Sequence, residues 1–349
     1  MRLDTPGTAV HENTLARTDS ATIAGSARRT RSHARLGRVV AAGAIAAALV
    51  LGAAACSAGG SDAASAADTR TVSTAHGDVK VPAHPLRVVS VHSWTTESLY
   101  DLGVKPIAVE DGGAEYVPSR YLTNWKAAKK ISSGADVDLE QIAALKPDLI
   151  VGVDVPYLTK LYPKLEAIAP TAFAAFDGKW TTPAIATADF INDDAALTKL
   201  QGSYTSKLDE IRSTYGEQLK TAKWDVIQGG FDEGNYWIYG EKSSVGTILT
   251  DLDAPLASAS AAVKDDNSTS VSYEQAALLS DADYIIYYAN NDGTPANNIQ
   301  NLFDLQAYKQ LPAVTAGHVI GTSDFLTGSY ADAIGVLDAI EQVLKTSAK

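Results

Sequence analysis

Six loops of this chain concentrate the side chains best suited to grip a ligand. HSWTT (92–96) carries Trp94; DGGAEYVPSRYL (111–122) carries Tyr116, Arg120 and Tyr121; DVPYL (154–158) carries Tyr157; and FDGKW (176–180) carries Trp180. Further along, FDEGNYWIYG (231–240) supplies Phe231, Tyr236, Trp237 and Tyr239, and SDFLTGSY (323–330) supplies Phe325 and Tyr330. Aromatic faces give contact area at low entropic cost, and an Arg with Tyr and Trp donors can reach ligand oxygens. That chemistry is recognition of a bulky, partly apolar molecule, not bond-making. The chain has no G-x-S-x-G elbow, no S-x-x-K in a plausible nucleophile helix and no H-E-x-x-H, which weighs against an extracellular α/β hydrolase. A bare-metal receptor for zinc or manganese would need several His with a carboxylate. Beyond the leader only His76, His84, His92 and His318 occur, scattered, so no metal site is expected.

A second pattern is a phrase written twice. DLEQIAALKPDLIVG (138–152) and SYEQAALLSDADYIIYY (272–288) both read as a capped helix followed by a strand, with Asp138 and Gln141 matched by Ser272 and Gln275. Capping accounts for those residues. It does not account for Glu140 and Glu274 at equivalent places in the first turn, where the helix dipole favours an ionised carboxylate.

Strands alternating with helices must position these loops, which implies an α/β fold with largely parallel sheets. A short hairpin is expected to turn near Gly77, followed by a buried strand over Arg87 to His92, a Thr-capped helix over TTESLYDLG and a strand over VKPIAVED. One further helix is expected over YLTKLYPKLEAIA, then the strand TAFAAF. Leu197, Leu200, Tyr204, Leu208, Ile211, Tyr215 and Leu219 step by three and four without a break, the signature of one long amphipathic helix. The α/β pattern then restarts. The expected organisation is a lobe over 70–192, a linking helix over 193–221 and a second lobe over 222–349.

Residues 1–55 contain seven Arg against Asp4, Glu12 and Asp19, and end in an uncharged run from Val39 to Ala55 before Cys56, the only cysteine. Seventeen residues rich in Ala and Gly are short and weakly apolar for spanning about 30 Å of hydrocarbon. The run reads instead as a signal peptide, with 56–69 a flexible tether. Without it, 22 basic and 38 acidic residues leave a net charge of −16, which argues against a nucleic-acid partner. With no further cysteine, the mature domain must be held by its core alone.

RVVSVHSWTTESLYDLGVKPIAV, DLEQIAALKPDLIVG, SVGTILTDLDA, YEQAALLSDADYIIY and LPAVTAGHVIGTSDF occur in the order found in the substrate-binding lipoproteins of iron-siderophore ABC importers, and the chain resembles that family over about residues 70–345. The resemblance implies two Rossmann-like lobes joined by one rigid helix (the helical-backbone periplasmic binding protein fold) and a ferric siderophore in the cleft between them. It implies no enzyme activity and no cofactor. It also implies permease subunits docked through Glu140 and Glu274, and lipidation at Cys56 as the diacylated, palmitate-class anchor of a monomer on the outer face of the cell membrane. LGAAAC departs from the usual lipoprotein signal in having Ala53 where Leu is common. The loops offer only Arg120, Lys179 and Lys242 as cations, whereas catecholate complexes carry about three negative charges, so a neutral or cationic ferric hydroxamate is the better expectation. Haem or cobalamin, bound by the same fold, is the alternative ligand.

Overall fold

A computed structural model describes residues 68–133, 136–230 and 234–347. In the first lobe five parallel strands lie in the spatial order Lys129–Lys130, Ala108–Val109, Val88–Ser90, Leu149–Val153, Thr171–Ala174. Val88–Ser90 and Leu149–Val153 are buried at every position, as a parallel strand covered on both faces must be. A hairpin, Thr69–Thr74 with Gly77–Pro82, lies against the sheet edge through Ala75 N–H donating to the Phe173 carbonyl at 2.9 Å.

The second lobe is a mixed sheet in the order Ser268–Ser272, Asn235–Tyr239, Trp224–Gly229, Tyr284–Tyr288, Val319–Thr322. Its last three strands are parallel and its first two are added antiparallel. Between the sheets in chain order runs the helix Asp194–Thr221, 28 residues long, capped by the Asp193 carboxylate accepting from Ala196 N–H at 3.0 Å. Its Leu197, Tyr204, Leu208, Ile211 and Leu219 are buried in an apolar cluster that also takes in Val88, Leu99 and Leu149 of the first lobe, and Trp224, Val226 and Leu337 of the second. Lys207 ties this helix to the final helix, Tyr330–Ser347, through Asp338 and Glu341, each at 2.9 Å. Among the described residues no helix is long and apolar enough to cross a membrane.

Several elements depart from the sequence-based expectation for identifiable reasons. The helix Ser93–Asp101 starts earlier than a Thr cap would place it, because His92 is the cap and its ring accepts from Trp94 N–H at 3.2 Å. Thr95 and Thr96 instead turn their hydroxyls inward, to the His92 carbonyl and to Ser90. The helix expected over YLTKLYPKLEAIA is two pieces, Pro156–Thr159 and Tyr162–Glu166, since Pro163 has no N–H to return to the Thr159 carbonyl. The strand expected over VKPIAVED is only Ala108–Val109. The twin phrases also differ. Asp138 caps the α-helix Leu139–Leu145 through Gln141 N–H at 2.8 Å, whereas Tyr273–Leu279 is a 3-10 helix kinked at Gln275, with Ser272 accepting from Glu274 N–H at 3.3 Å.

Candidate ligand cleft

The helix Ser93–Asp101 places Trp94, Ser98 and Asp101 on one face by its three-and-four spacing. That face meets the segment leading into the final helix of the other lobe. Trp94 Nε1–H donates to the Leu326 carbonyl at 3.0 Å, Ser98 Oγ–H to the Gly328 carbonyl at 3.0 Å, and Asp101 accepts from Ala331 N–H at 2.8 Å. Gly328 is required there, because a Cβ on it would lie 2.3 Å from Trp94 Cδ1. A second fastening is made by the loop 111–121: Arg120 Nη2–H donates to both Asp324 and Asp332, and Asn291 Nδ2–H donates to the Ala114 and Val117 carbonyls at 2.7 and 3.0 Å. The C-terminal ends of the two sets of parallel strands therefore face each other, where α/β lobes bind ligands.

Aromatic rings line this junction in a chain of contacts. Trp237 stacks near Tyr239 (6.4 Å), Tyr239 meets Phe325 edge-on (5.2 Å), Phe325 lies by Tyr288 (5.7 Å), and Tyr288 stacks near Tyr116 of the first lobe (6.1 Å). On the first lobe Trp94 lies between His92 and Phe176, at 5.2 and 5.9 Å. Tyr116, Tyr157 and Phe176 are exposed, and Trp94, Trp237 and Tyr239 are partly so. Tyr288 is buried and joins the chain from beneath, whereas Phe176 is an exposed ring outside the expected set; it follows its strand end as Tyr157 follows its own, which is the signal that could have found it.

Other expected lining residues are in the core. Trp180 packs edge-on against Tyr204 and Tyr330 (5.4 and 5.0 Å) beneath the linking helix, and Tyr330 accepts from Gln201. Tyr236 is fully buried, its hydroxyl donating to the Gln275 carbonyl at 3.2 Å. Phe325 is covered by Tyr239 and Tyr288, and Tyr121 is buried with its hydroxyl donating to Asp101. Arg120 is committed to two carboxylates across the lobes and in this structure is a bridge. Lys242 is held by the Asp265 carbonyl at 3.2 Å. Phe231 and Cys56 lie outside the described residues.

The electrostatics of the junction are those of a desolvated site. Burial pushes the Glu97 carboxyl well above its usual range, and the neighbouring Asp332, by charge and hydrogen bond, pushes it further; Arg120 opposes this. Glu110 is raised to about 7 by burial, against a 2.8 Å hydrogen bond from Thr96. Asp324 is raised to about 6 by burial, against Arg120. His92 is lowered to about 4 by burial and is a neutral ring at neutral pH. Burial also raises Tyr239 and Tyr288, so both remain phenols. The two repeated glutamates, Glu140 and Glu274, are both exposed in the first turns of their helices. Among the described residues no three His, Cys, Asp or Glu side chains converge to hold a metal ion.

Comparison with known proteins places this architecture. Over 291 residues the chain is 28% identical to the probable siderophore-binding lipoprotein YfiY of Bacillus subtilis (strain 168), covering 79% of this chain and 88% of that one. The solved siderophore periplasmic binding protein from the fuscachelin gene cluster of Thermobifida fusca superposes with a TM-score of 0.66 at 28% identity, covering 75% of this chain and 98% of that one. Staphylococcus aureus SirA, solved with staphyloferrin B, shares the fold at a TM-score of 0.65 and 22% identity, covering 79% of this chain and 99% of that one. The family model described as periplasmic binding protein matches residues 88–324, more than half of the 349-residue chain. The chain belongs to the periplasmic binding protein family.

Proposed function

We propose that this chain is the extracytoplasmic receptor of an iron-siderophore ABC importer, capturing a ferric siderophore between its lobes and delivering it to the permease. The observation that carries the reading is the set of accessible rings, Trp94, Tyr116, Tyr157, Phe176, Trp237 and Tyr239, gathered where the strand ends of two lobes face each other. Its siderophore-binding relatives support it. A ferric siderophore arrives with its iron already coordinated, so the receptor supplies rings and hydrogen bonds, not metal ligands.

A neutral or cationic complex of the hydroxamate class fits the charges better than a catecholate. Arg120 is neutralised by Asp324 and Asp332, and Glu97 and Glu110 add only acidic groups. Glu140 and Glu274, one per lobe, are assigned to registering the lobes on the permease. Exposed ion pairs contribute only about 0–1 kcal/mol, so they would set docking register and rate rather than affinity. Cys56 is assigned to the lipid anchor, and Cys56→Ala in the full chain should abolish acylation.

The deciding experiment is a tryptophan-quenching titration of residues 57–349 against ferric and iron-free hydroxamate and catecholate siderophores, haem, cobalamin and zinc. Saturable quenching by a ferric siderophore alone is the expected result. Binding only to haem, cobalamin or zinc would overturn the reading.

A further inference from the structure

The Arg120 fastening is more elaborate than a lobe contact needs to be. Two buried carboxylates, Asp324 (8% exposed) and Asp332 (1%), converge on one guanidinium whose side chain is still 34% exposed at the cleft. Both acids also have contacts other than Arg120: the Asp324 backbone is fixed on both sides, and the Asp332 carboxylate accepts from a backbone N–H. Asp324 N–H donates to Thr322 Oγ1 at 3.1 Å and its carbonyl accepts from Thr327 Oγ1–H at 2.8 Å; Asp332 Oδ2 accepts from Gly328 N–H at 3.2 Å.

Room for the Asp324 carboxylate comes from Gly335 in the final helix, where a Cβ would sit 2.0 Å from Asp324 Oδ2. A glycine inside a helix costs about 1 kcal/mol relative to alanine, so the helix gives up stability at the position that accommodates this acid. By formal charge, two carboxylates against one guanidinium leave the fastening net negative. The nearby Lys130 does not redress this: its ammonium lies 3.8 Å over the Trp125 ring and donates to the Trp125 and Ala128 carbonyls.

We propose that Asp324 and Asp332 are specificity-determining residues that fix the charge class of the ligand. By holding Arg120 they cancel the cation that would otherwise attract anionic chelates, so the cleft accepts neutral and cationic ferric complexes and discriminates against anionic ones. This rests on the siderophore reading above and assigns its selectivity to named residues. Removing one acid takes away the surplus negative charge and leaves a one-to-one pair; removing the arginine leaves both acids uncompensated. The two changes shift charge preference in opposite directions, which a purely structural fastening cannot do.

The test uses one ferric trihydroxamate with three termini, a free ammonium, its acetamide and its succinamate, so that the chelate is constant while net charge runs from positive through neutral to negative. Wild-type residues 57–349 should bind the ammonium and acetamide forms more tightly than the succinamate. Asp324→Asn should narrow the gap between the ammonium and succinamate forms by about ten-fold, and Arg120→Gln should widen it by a similar factor, from a unit charge acting across a partly desolvated cleft. If all three ligands weaken alike in both variants, or the gap moves the same way in both, the inference is overturned while the siderophore reading stands. If wild type binds no ferric complex, the siderophore reading itself fails. Should Asp324→Asn not fold, Asp332→Asn with Arg120→Gln gives the same opposed pair, and equal weakening there also overturns the inference.

Discussion

Trp94 and Leu326 are 232 residues apart in sequence, and the indole N–H of one donates to the backbone carbonyl of the other at 3.0 Å. This bond fixes the ring in the orientation that meets Phe176, so the surface of one lobe proposed to face the ligand is positioned by the backbone of the other. Ser98 and Asp101 extend the same seam to Gly328 and Ala331.

Gly328→Ala should therefore destabilise the fold through Trp94. The added methyl falls 2.3 Å from Cδ1, and overpacking of this kind costs about 1–3 kcal/mol. A lower urea midpoint with altered indole emission is the expected result; an unchanged midpoint would mean that the seam yields freely.

Glu110 makes stability depend on pH. Its folded pKa, raised to about 7 from 4.5 by burial, favours the protonated form, so its contribution is complete below about pH 4.5 and is lost as pH rises through about 7. Glu110→Gln keeps an acceptor for Thr96 and cannot ionise. The variant should match wild type near pH 5 and exceed it by about 1–3 kcal/mol at pH 8.5, read from urea unfolding. His92, lowered to about 4, works in the opposite sense: wild type and variant alike lose stability as pH falls below 6.5, and this term cancels in their difference.

Ligand binding should change the shape of the molecule little. A hinge needs a few residues that absorb backbone rotation, whereas here the lobes are joined by a 28-residue helix and again by the Trp94–Leu326 and Arg120–Asp324 contacts. X-ray scattering profiles with and without ferric siderophore are expected to superimpose closely. A large compaction would contradict this.

Replacing Glu140 and Glu274 together with Ala should leave ligand affinity in solution intact and sharply reduce ligand-stimulated ATP hydrolysis by the reconstituted transporter. Each single replacement should fall between, since one lobe keeps its register. Normal transport by the double variant would reduce the repeated phrase to a repeated helix entry.

The layered architecture was legible because parallel strands and amphipathic helices write their burial directly into apolar periodicity. The periodicity from Leu197 through Leu219 announces the linking helix; its cap, Asp193, is seen only in the structure. Within the site, strand alternation carried more information than the loop composition drawn from it. In Asn235–Tyr239, Tyr236 and Ile238 are buried while Trp237 and Tyr239 face the other way, so Tyr236 could not share their surface. Trp180 was misplaced because a ring just before a helix can turn toward either the loop or the core, and here the linking helix offers Tyr204. The engagement of Arg120 by acids more than 200 residues away leaves no local trace at all.

The apolar cluster shared by both lobes also makes completion of the first lobe depend on the last helix. It contains Val72 and Val88 from the beginning of the domain, and Val343 and Leu344 from its last helix. When a chain emerges N-terminus first, the residues of the first sheet appear long before those closing residues, and the apolar cluster they share is incomplete until the last helix follows. Separate domains are completed one after another as they emerge. Here maturation waits for the end of the chain, so loss of the terminal helix should leave even the first lobe open to proteases at sites far from the cut.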